Sequence, residues 1–525
     1  METTVGRAWG VDKCNTPNKT NNHKGAECMS VRNVAVIGGG VSGLGVAYFL
    51  NQKGVNVTVY EAVHHVGGNC RTVPVPSVGQ AIPGGTNPWF KRWVDLGVND
   101  FNKNSYTEIV GMLDRLGVPY APLEDTISFF GVGNGGTIPG SGYTMDTTWA
   151  NIIPATIQAG NNQFAAYVSA NINEFLQPSG KFFNATMGQF LSDPTVSANY
   201  PELRFGSDFV NYNLFPHINA MYFATGIAPS DMPARMVIHY FNLQEGYGTG
   251  RGADRMYWVN GAHSWIAALA QDLTDKGVRI FTGTKAQFEY TGGGVVVTTD
   301  GNSPGGTFDA VVLGVQAWQL RSIFANQRAV PPYIDEIVNA ITYSSDEVVV
   351  HASTGELPAN VSAWRTYNVN MYDHPNQGQP YRMSYVVNRH QNDSASKNPI
   401  INNANDPLYF CTLNPRNPIP PDAYLLGPQS SFLPPGCTMF NFYHTILGMR
   451  AQYCQDVTIP GVQGQNRVWL VGGYTCGTGL QEECWEAARN IATKMLNPAH
   501  EFDHIYNREK SGREGIPQYI RKRLQ

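Results

Sequence analysis

One stretch near the start of the chain, residues 31–72, most constrains the fold. It reads VRNVAVIGGGVSGLGVAYFLNQKGVNVTVYEAVHHVGGNCRT. The β-branched run 34–37 predicts a strand, the apolar spacing over 41–52 predicts a helix, and the run 55–60 predicts a second strand that ends on Glu61. A strand, a glycine-rich turn, a helix, a strand and an acid, in this order, are typical of a dinucleotide-binding unit.

The glycine-rich turn has the chemistry that a pyrophosphate needs. Gly38 lets the chain turn sharply, Gly40 lets a phosphate approach the backbone, and Gly43 lets the helix pack close to the strand. The helix N-terminus adds free N–H groups and a positive dipole end, and a carboxylate at Glu61 accepts hydrogen bonds from a ribose diol. A glycine turn without a ligand is the alternative. The residues predicted to bind the cofactor here are Gly38, Gly40, Val41, Ser42, Gly43, Glu61 and Ala62.

A second glycine pair follows the acid directly, in the segment VGGNCRT at 66–72. Such a loop suits a chain that folds back over the pyrophosphate and ribityl groups. The segment resembles the flavin-containing amine oxidase superfamily, and this resemblance implies that the cofactor is FAD. It assigns Gly68, Asn69 and Arg71 to the cofactor site. Many members have Arg at the position of Asn69, and Arg71 is the nearest basic substitute.

The resemblance extends to three later segments. In members of the superfamily, a strand like WVDLGV at 93–98 lies beside the isoalloxazine ring, which assigns Val98 to the site. Ala286 matches a residue that contacts the adenine through its backbone. The segment 467–484 matches a C-terminal loop and helix whose positive end faces the flavin. It assigns Gly472, Gly473, Leu480 and Gln481 to the site, with Gly473 in place of the usual acid.

The predicted fold class is α/β. It combines a Rossmann-like FAD-binding domain of the amine-oxidase type with a discontinuous α+β substrate domain. The predicted divisions are a polar N-terminal tail at 1–30, the FAD-binding domain at 31–100, 255–345 and 460–500, the substrate or cap domain at 101–254 and 346–459, and a basic C-terminal tail at 501–525.

Local patterns add detail to the substrate domain. Ser105 and Glu108 have the spacing of a capping box at the start of a helix. The aromatic and apolar residues of 120–250 predict a helical cap over a pocket. Strand-like runs within 346–459 predict a sheet that forms the floor of the substrate site.

Composition excludes several classes of function. A net charge of −4 gives no reason to expect a nucleic-acid partner. No apolar run approaches the length of a transmembrane helix, and residues 1–30 have no apolar core of a signal peptide. We therefore expect a soluble protein, cytoplasmic or organellar in preference to secreted. Cys14 and Cys28 are candidates for a disulfide, with free thiols as the alternative. The histidines lack metal-ligand spacing, so no metal is expected.

The predicted function is that of an FAD-dependent oxidoreductase that takes a hydride from a substrate C–H bond to flavin N5. The substrate is expected to be small and apolar, either an unsaturated fatty acid or an amine. By resemblance, a redox-neutral double-bond isomerase of polyunsaturated fatty acids is one alternative. A non-enzymatic carrier with the same fold and an NAD-only dehydrogenase are two others. The oligomeric state and the catalytic residues are not assigned by the sequence.

Departures from the family pattern bear on the substrate. Many amine oxidases place a Lys near flavin N5, and the corresponding run 344–350 has none. Their C-terminal loop supplies an aromatic side chain, whereas this loop offers Thr478 and Leu480. The isomerases anchor the fatty-acid carboxylate with a basic residue after the first cap helix, whereas 121–126 is acidic here. The other candidate anchors are Arg204, Arg235, Arg365 and Arg389.

Overall fold

A parallel sheet of five strands forms around the first predicted unit. The computed structural model describes residues 31–75, 92–131, 143–145, 153–221, 225–301, 303–372, 374–391, 409–426 and 438–496. The strands of the described residues are β1 (Asn33–Ile37), β2 (Asn56–Tyr60), β3 (Thr72–Val75), β4 (Arg92–Asp95), β5 (Phe101–Asn102), β6 (Tyr120–Pro122), β7 (Ile127–Phe130), β8 (Tyr143–Met145), β9 (Arg255–Trp258), β10 (Arg279–Phe281), β11 (Ala286–Thr291), β12 (Gly294–Thr299), β13 (Gly306–Phe308), β14 (Ala310–Leu313), β15 (Tyr343–His351), β16 (Tyr367–Asn370), β17 (Met383–Val386), β18 (Phe410–Leu413), β19 (Phe440–Thr445) and β20 (Val468–Leu470). The α-helices are α1 (Val41–Asn51), α2 (Thr107–Leu116), α3 (Ala155–Ala170), α4 (Ile172–Leu176), α5 (Met187–Leu191), α6 (Pro194–Asn199), α7 (Phe215–Met221), α8 (Ala234–Gln244), α9 (His263–Asp275), α10 (Pro332–Ala340), α11 (Val387–His390), α12 (Met449–Tyr453), α13 (Ile459–Val462) and α14 (Gln481–Leu496).

The parallel sheet has the strand order β10-β2-β1-β14-β20, which is the order of a Rossmann-like fold. All four pairings are parallel. Alternate residues of β1 point to opposite faces. Val34 and Val36 pack in one apolar cluster with α1, α9 and α14, and Ala35 and Ile37 pack in another with the antiparallel sheet β11-β12-β13. This arrangement confirms the predicted α/β fold class.

A second sheet of seven strands has the order β19-β15-β18-β17-β16-β7-β8. Its pairings are antiparallel, except that β16 and β7 run parallel. One face, called the inner face below, packs in a single apolar cluster with Leu96, with Leu480 and with residues of α3–α8. The strands predicted within 346–459 are therefore confirmed as parts of one sheet.

The cap prediction for 120–250 is only partly right. Helices α3–α8 occupy 155–244, but 120–145 contributes the strands β6, β7 and β8. At the start of this region, β6 pairs with β9 and β7 pairs with β16. These strands depend on pairing partners that are far apart in the sequence, which a local pattern does not show.

The predicted capping box is wrong. Tyr106, not Ser105, occupies the N-cap of α2, and its side chain makes no capping hydrogen bond. A carboxylate from α14 takes this role, because Glu482 accepts from the backbone N–H groups of Glu108 at 2.7 Å and Ile109 at 2.9 Å. The Glu108 carboxylate instead pairs with Arg489 at 3.0 Å. These contacts join α2 to α14.

Several predictions concern residues outside the described part of the chain. These include both predicted tails and the Cys14–Cys28 pair. The predicted boundaries between the FAD-binding and substrate domains remain a prediction. Residues 451–459 illustrate the difficulty, since Ala451, Cys454 and Ile459 pack against the parallel sheet. Within the described residues, no helix has the length and apolar character needed to cross a membrane.

Candidate functional site

The first glycine turn is built on close backbone contacts. Gly38 has φ +107°, and a Cβ there would lie 2.4 Å from the Gly314 carbonyl oxygen. A Cβ on Gly43 would lie 2.0 Å from the Gly38 carbonyl oxygen. Neither position accepts a side chain without moving backbone, so these two predicted glycines fix the turn and the approach of α1.

Space remains in front of this turn. A Cβ on Gly40 would meet no atom of the described part of the chain within 4 Å, unlike one on Gly38 or Gly43. Gly40 is the N-cap of α1, and none of the side chains that the structure describes caps that helix end. Val41 and Ser42 form its first turn. An open position beside uncapped N–H groups fits a phosphate, so the residues present suit the pyrophosphate of FAD.

Glu61 orders the turn from the other side. Its Oε2 accepts from Gly39 N at 2.8 Å, and its Oε1 accepts from Val63 N at 3.0 Å. Gly39 was not predicted as a site residue, although it lies between two predicted glycines. The Glu61 carbonyl accepts from Thr284 N at 2.8 Å, and the buried Ala286 of β11 follows Thr284 by two residues in the chain. Ala62 is exposed.

The second glycine loop lies beside the first. Gly67 N donates to Gly39 O at 2.8 Å, and a Cβ on Gly68 would lie 3.5 Å from the Gly40 Cα. The Asn69 carbonyl then accepts from Val98 N at 3.4 Å. The predicted residues of 67–71 and Val98 therefore meet in one place.

Gly97 and Arg71 connect these loops to the second sheet. A Cβ on Gly97 would lie 2.6 Å from the Asn69 carbonyl oxygen and 3.2 Å from Cε1 of Phe442 on β19. The Arg71 guanidinium carbon lies 4.4 Å from the centre of the Phe440 ring, and burial lowers the pKa of Arg71. The predicted strand and loop therefore rest on the inner face of the sheet.

Asp95, next to these loops, has a structural role. Its carboxylate accepts from the backbone N–H of Ala262, at the start of α9, at 3.0 Å. It also accepts from the Thr72 hydroxyl. Burial raises the pKa of Asp95 to about 8, against the lowering effect of these hydrogen bonds.

The C-terminal loop closes the site. A Cβ on Gly472 would lie 3.3 Å from Val315 O, and one on Gly38 would lie 3.1 Å from Val315 N, so this loop and the first glycine turn meet at Val315. Gly473 packs against Gly479 within the loop. Gln481 begins α14 and is buried, and neither its amide oxygen nor its amide nitrogen has a hydrogen-bond partner among the described residues. An orphaned amide at a helix N-terminus fits the polar edge of a flavin.

Glu483 holds this loop in place. Its Oε2 accepts from Thr478 N and Leu480 N, each at 3.0 Å, and from the Thr478 hydroxyl at 2.8 Å. Its Oε1 lies 2.8 Å from His239 Nε2. His239 and Glu483 both line a cavity of about 310 Å³. One carboxylate thus accepts from four donors. The sequence analysis does not include Glu483 among the site residues, because nothing in the local sequence marks it.

A group of carboxylates lies near Arg255. One of them, Asp100, follows Gly97 by three residues in the chain. Asp100 Oδ2 lies 2.6 Å from Arg255 Nη2, and Glu245 Oε1 lies 3.3 Å from Arg255 Nη1. Asp125 is desolvated by its surroundings, which raises the pKa of its carboxyl to about 6, and its side chain is nevertheless exposed. Asp100, Asp125 and Glu245 are called the acidic cluster below.

The candidate carboxylate anchors are mostly engaged elsewhere. Arg235 pairs with Asp456, and Arg389 Nη1 lies 2.7 Å from Glu124 Oε1. Arg365 is buried and donates to backbone carbonyls. Arg204 is exposed on the surface. Within the described residues, no group of three or more His, Cys, Asp or Glu side chains has the arrangement of a metal site.

Comparison with known proteins identifies the family. Residues 41–373 match the family described as flavin containing amine oxidoreductase, and this range is more than half of the 525 residues. The chain belongs to that family. It is therefore a flavin oxidoreductase with FAD as its cofactor. This confirms the resemblance that the glycine motifs predicted.

Two plant enzymes match over short segments. Protoporphyrinogen oxidase 2, chloroplastic/mitochondrial, of Arabidopsis thaliana is 55% identical over 47 residues, which is 9% of this chain and 9% of that protein. Mitochondrial protoporphyrinogen oxidase of Nicotiana tabacum is 57% identical over 44 residues, which is 8% of this chain and 9% of that protein. The chain thus matches only about a tenth of the length of these relatives.

Solved structures match over nearly the whole chain. Cyclohexylamine oxidase from Brevibacterium oxydans has a TM-score of 0.54 at 14% identity, and the match covers 89% of this chain and 100% of that one. Putrescine oxidase bound to putrescine also has a TM-score of 0.54 at 14% identity, covering 89% of this chain and 99% of that one. At this identity the likeness shows the fold alone. The matches give no support to a double-bond isomerase or to a fatty-acid substrate.

Proposed function

We propose that this protein is an FAD-dependent oxidoreductase that takes a hydride from a C–H bond of a substrate carrying cationic nitrogen. The acidic cluster is the observation that carries this proposal. Asp100 and Glu245 pair with the guanidinium of Arg255, and Asp125 interacts electrostatically with the same charge. Burial also lowers the pKa of the neighbouring His217 to about 4, so that imidazole is neutral at physiological pH and adds no positive charge.

An excess of carboxylates in a desolvated space attracts a cation. A charge buried without an opposite charge is costly, and an ammonium group supplies the missing partner. Asp100 follows Gly97 by three residues, so the cluster lies within about 10 Å of the loop predicted to border the flavin. The named substrates of the two structural neighbours, cyclohexylamine and putrescine, carry such nitrogen.

Each part of the site has a role in this proposal. FAD, when bound, supplies N5 as the hydride acceptor. Gly40 and the first turn of α1 would hold its pyrophosphate, Glu61 its ribose, and Gln481 the polar edge of its ring. The inner face of the seven-stranded sheet orients the substrate and excludes water, since it presents buried apolar residues such as Val348 and Phe442.

Anaerobic mixing of the FAD-loaded protein with a panel of amines tests the proposal. The panel contains cyclohexylamine, diamines of increasing length and, for comparison, linoleate. We expect at least one amine to bleach the visible flavin band and linoleate to leave it unchanged. Failure of every amine, or a conjugated-diene absorbance from linoleate without flavin bleaching, would contradict the proposal.

A variant of the acidic cluster links the result to this site. With an amine that reduces the flavin, Asp125→Asn should raise the apparent dissociation constant by about 10- to 150-fold, because a hydrogen bond to a charged group contributes about 1.5–3 kcal/mol. The rate of reduction at saturating amine should change little. Asp422→Asn is the matched control, since Asp422 is exposed.

A further inference from the structure

Asp346 is a carboxylate with no exposed surface on the inner face of the seven-stranded sheet. It accepts hydrogen bonds from the hydroxyls of Ser344 at 2.8 Å and Thr225 at 2.9 Å, from Asn414 Nδ2 at 2.9 Å, and from His444 Nδ1 at 2.9 Å. Burial acts to raise the pKa of Asp346, but the partners, His444 foremost, bring it below its usual value. The fold therefore maintains an ionised carboxylate where apolar residues would cost less.

His444 extends from this carboxylate toward the cofactor loops. Alternate residues of a strand share a face, so Phe440, Phe442 and His444 of β19 point the same way. The ring centres of Phe442 and His444 are 6.3 Å apart and the rings are stacked. Phe442 lies against Gly97, and Arg71 lies over Phe440. The His444 side chain keeps 15% of its surface accessible, while that of Asp346 keeps none.

The strand register places Asp346 and His444 in the part of the sheet that the family pattern assigns to a basic residue near the flavin. Asp346 lies opposite Phe442 in the antiparallel pairing of β15 and β19. It belongs to the run 344–350, where the family pattern predicts a lysine near the flavin and this chain has none. An imidazole backed by a buried carboxylate thus occupies the part of the sheet where a basic group is expected.

We propose that His444, oriented by Asp346, accepts a proton from the reacting ammonium group of the substrate. This inference rests on the proposed function. In the step, an N–H bond of the ammonium breaks and its electron pair stays on nitrogen, while the proton bonds to Nε2 of His444. Asp346 stabilises the imidazolium that forms. The neutral amine then has the lone pair that stabilises the cation left behind when the adjacent C–H gives up a hydride.

The two residues have different roles. His444 is the catalytic residue, because it touches the substrate nitrogen. Asp346 is a positioning residue, because it acts through the imidazole. Among the described residues, the titratable Tyr381 lies beside the ring, with its ring centre 6.4 Å from that of His444. Burial raises the pKa of Tyr381 far above its usual value, so this phenol stays neutral at physiological pH.

Stopped-flow reduction of the FAD-loaded protein across a range of pH tests the step. With an amine that reduces the wild type, His444→Gln should slow reduction at neutral pH by about 100-fold, as is typical for loss of a general base. The rate of reduction by the wild type should fall at low pH, and the rate of this variant should not. Asp346→Asn should lower the maximal rate of reduction and leave the amine concentration that gives half of that rate nearly unchanged, because Asp346 acts through the imidazole and does not touch the substrate.

His351→Gln is the matched control for these variants. His351 lies on β15, is fully buried, and hydrogen-bonds to Thr412 at 2.7 Å. It packs beside Phe410 in a cluster separate from the inner face. This variant should lose stability and keep the rate and pH profile of flavin reduction. Equal slowing by His351→Gln and His444→Gln would overturn the proposal.

A spectral titration without substrate separates this inference from the proposed function. Protonation of His444 should perturb the absorbance of oxidised FAD, and this pH-dependent difference spectrum should vanish in His444→Gln. His444→Asn replaces that variant if it does not retain FAD. If no amine reduces the wild type, the proposed function fails while the titration still locates His444. An unchanged difference spectrum in the variant refutes the placement of His444 beside the flavin.

Discussion

A substitution of Glu61 allows its contribution to folding stability to be measured separately from its contribution to FAD binding. Its carboxylate accepts from two backbone N–H groups, those of Gly39 and Val63. In Glu61→Gln, one amide oxygen remains to accept, and the amide NH₂ faces the other N–H group. Leaving one partly buried donor unsatisfied costs about 1–3 kcal/mol, so the free energy of unfolding of the apoprotein should fall by that amount.

The effect on FAD binding should be larger than the effect on folding. If Glu61 accepts the ribose hydroxyls, the variant also loses a charged acceptor, which contributes about 1.5–3 kcal/mol. The dissociation constant of FAD should then rise by about 10- to 150-fold. Urea unfolding of the apoprotein measures the first quantity, and calorimetric titration with FAD measures the second.

A matched substitution and a clear contrary result complete this test. Glu289→Gln, on the exposed side of β11, should change neither quantity, because Glu289 is exposed. The reasoning is refuted if Glu61→Gln lowers stability but leaves the affinity for FAD as it was, since Glu61 would then support the turn without touching the ribose.

Two further substitutions test the loops. Gly97→Ala should lower the free energy of unfolding by about 1–3 kcal/mol in urea titrations, because its Cβ would lie 2.6 Å from the Asn69 carbonyl oxygen. Glu483→Gln should cost about 1–3 kcal/mol in the same assay and speed the release of FAD during dialysis, because it leaves a donor of the Thr478 and Leu480 loop unsatisfied.

The sequence was most informative where one local segment forms a whole structural unit. Strand β1, helix α1 and strand β2 lie within residues 33–60, and their boundaries fall within about one residue of the prediction. The glycine contacts are also local in origin, because Gly38 and Gly43 must meet wherever a strand turns directly into a helix. Periodicity and turn chemistry carry this information without any long-range contact.

The remainder depends on contacts between distant segments. Glu108 has the spacing of a capping residue, yet a carboxylate 374 residues away caps its helix. The members of the acidic cluster come from a loop, a strand end and a helix end, and nothing in the sequence shows that Arg255 brings Asp100 and Glu245 together. The pair of Asp346 and His444 is separated by 98 residues and depends on the register of two strands.

The two polar sites on the inner face together constrain the size of the substrate. The acidic cluster contacts β16, since the Tyr367 hydroxyl donates to Asp100, whereas Asp346 lies on β15. Strands β18 and β17 separate β15 from β16, which is about 14 Å across the sheet at about 4.8 Å per strand. The pairing register puts Val348 level with Val369, and Asp346 and Tyr367 lie on opposite sides of that row, about 13 Å apart along the strands. The backbones at the two sites are therefore about 19 Å apart. One ammonium group cannot contact both.

This separation reconciles the two proposals. A substrate with two cationic nitrogens can place one in the acidic cluster and present the other to His444. Side chains from both sites extend toward each other and shorten the gap between the two nitrogens. The nitrogens therefore need to be joined by an extended chain of several carbons. Such a chain also suits the apolar middle of the sheet, where Met383 and Leu413 lie. Binding energy from the distant cation then orients the reacting C–H bond, which explains why a desolvated acidic cluster lies away from the pair of Asp346 and His444.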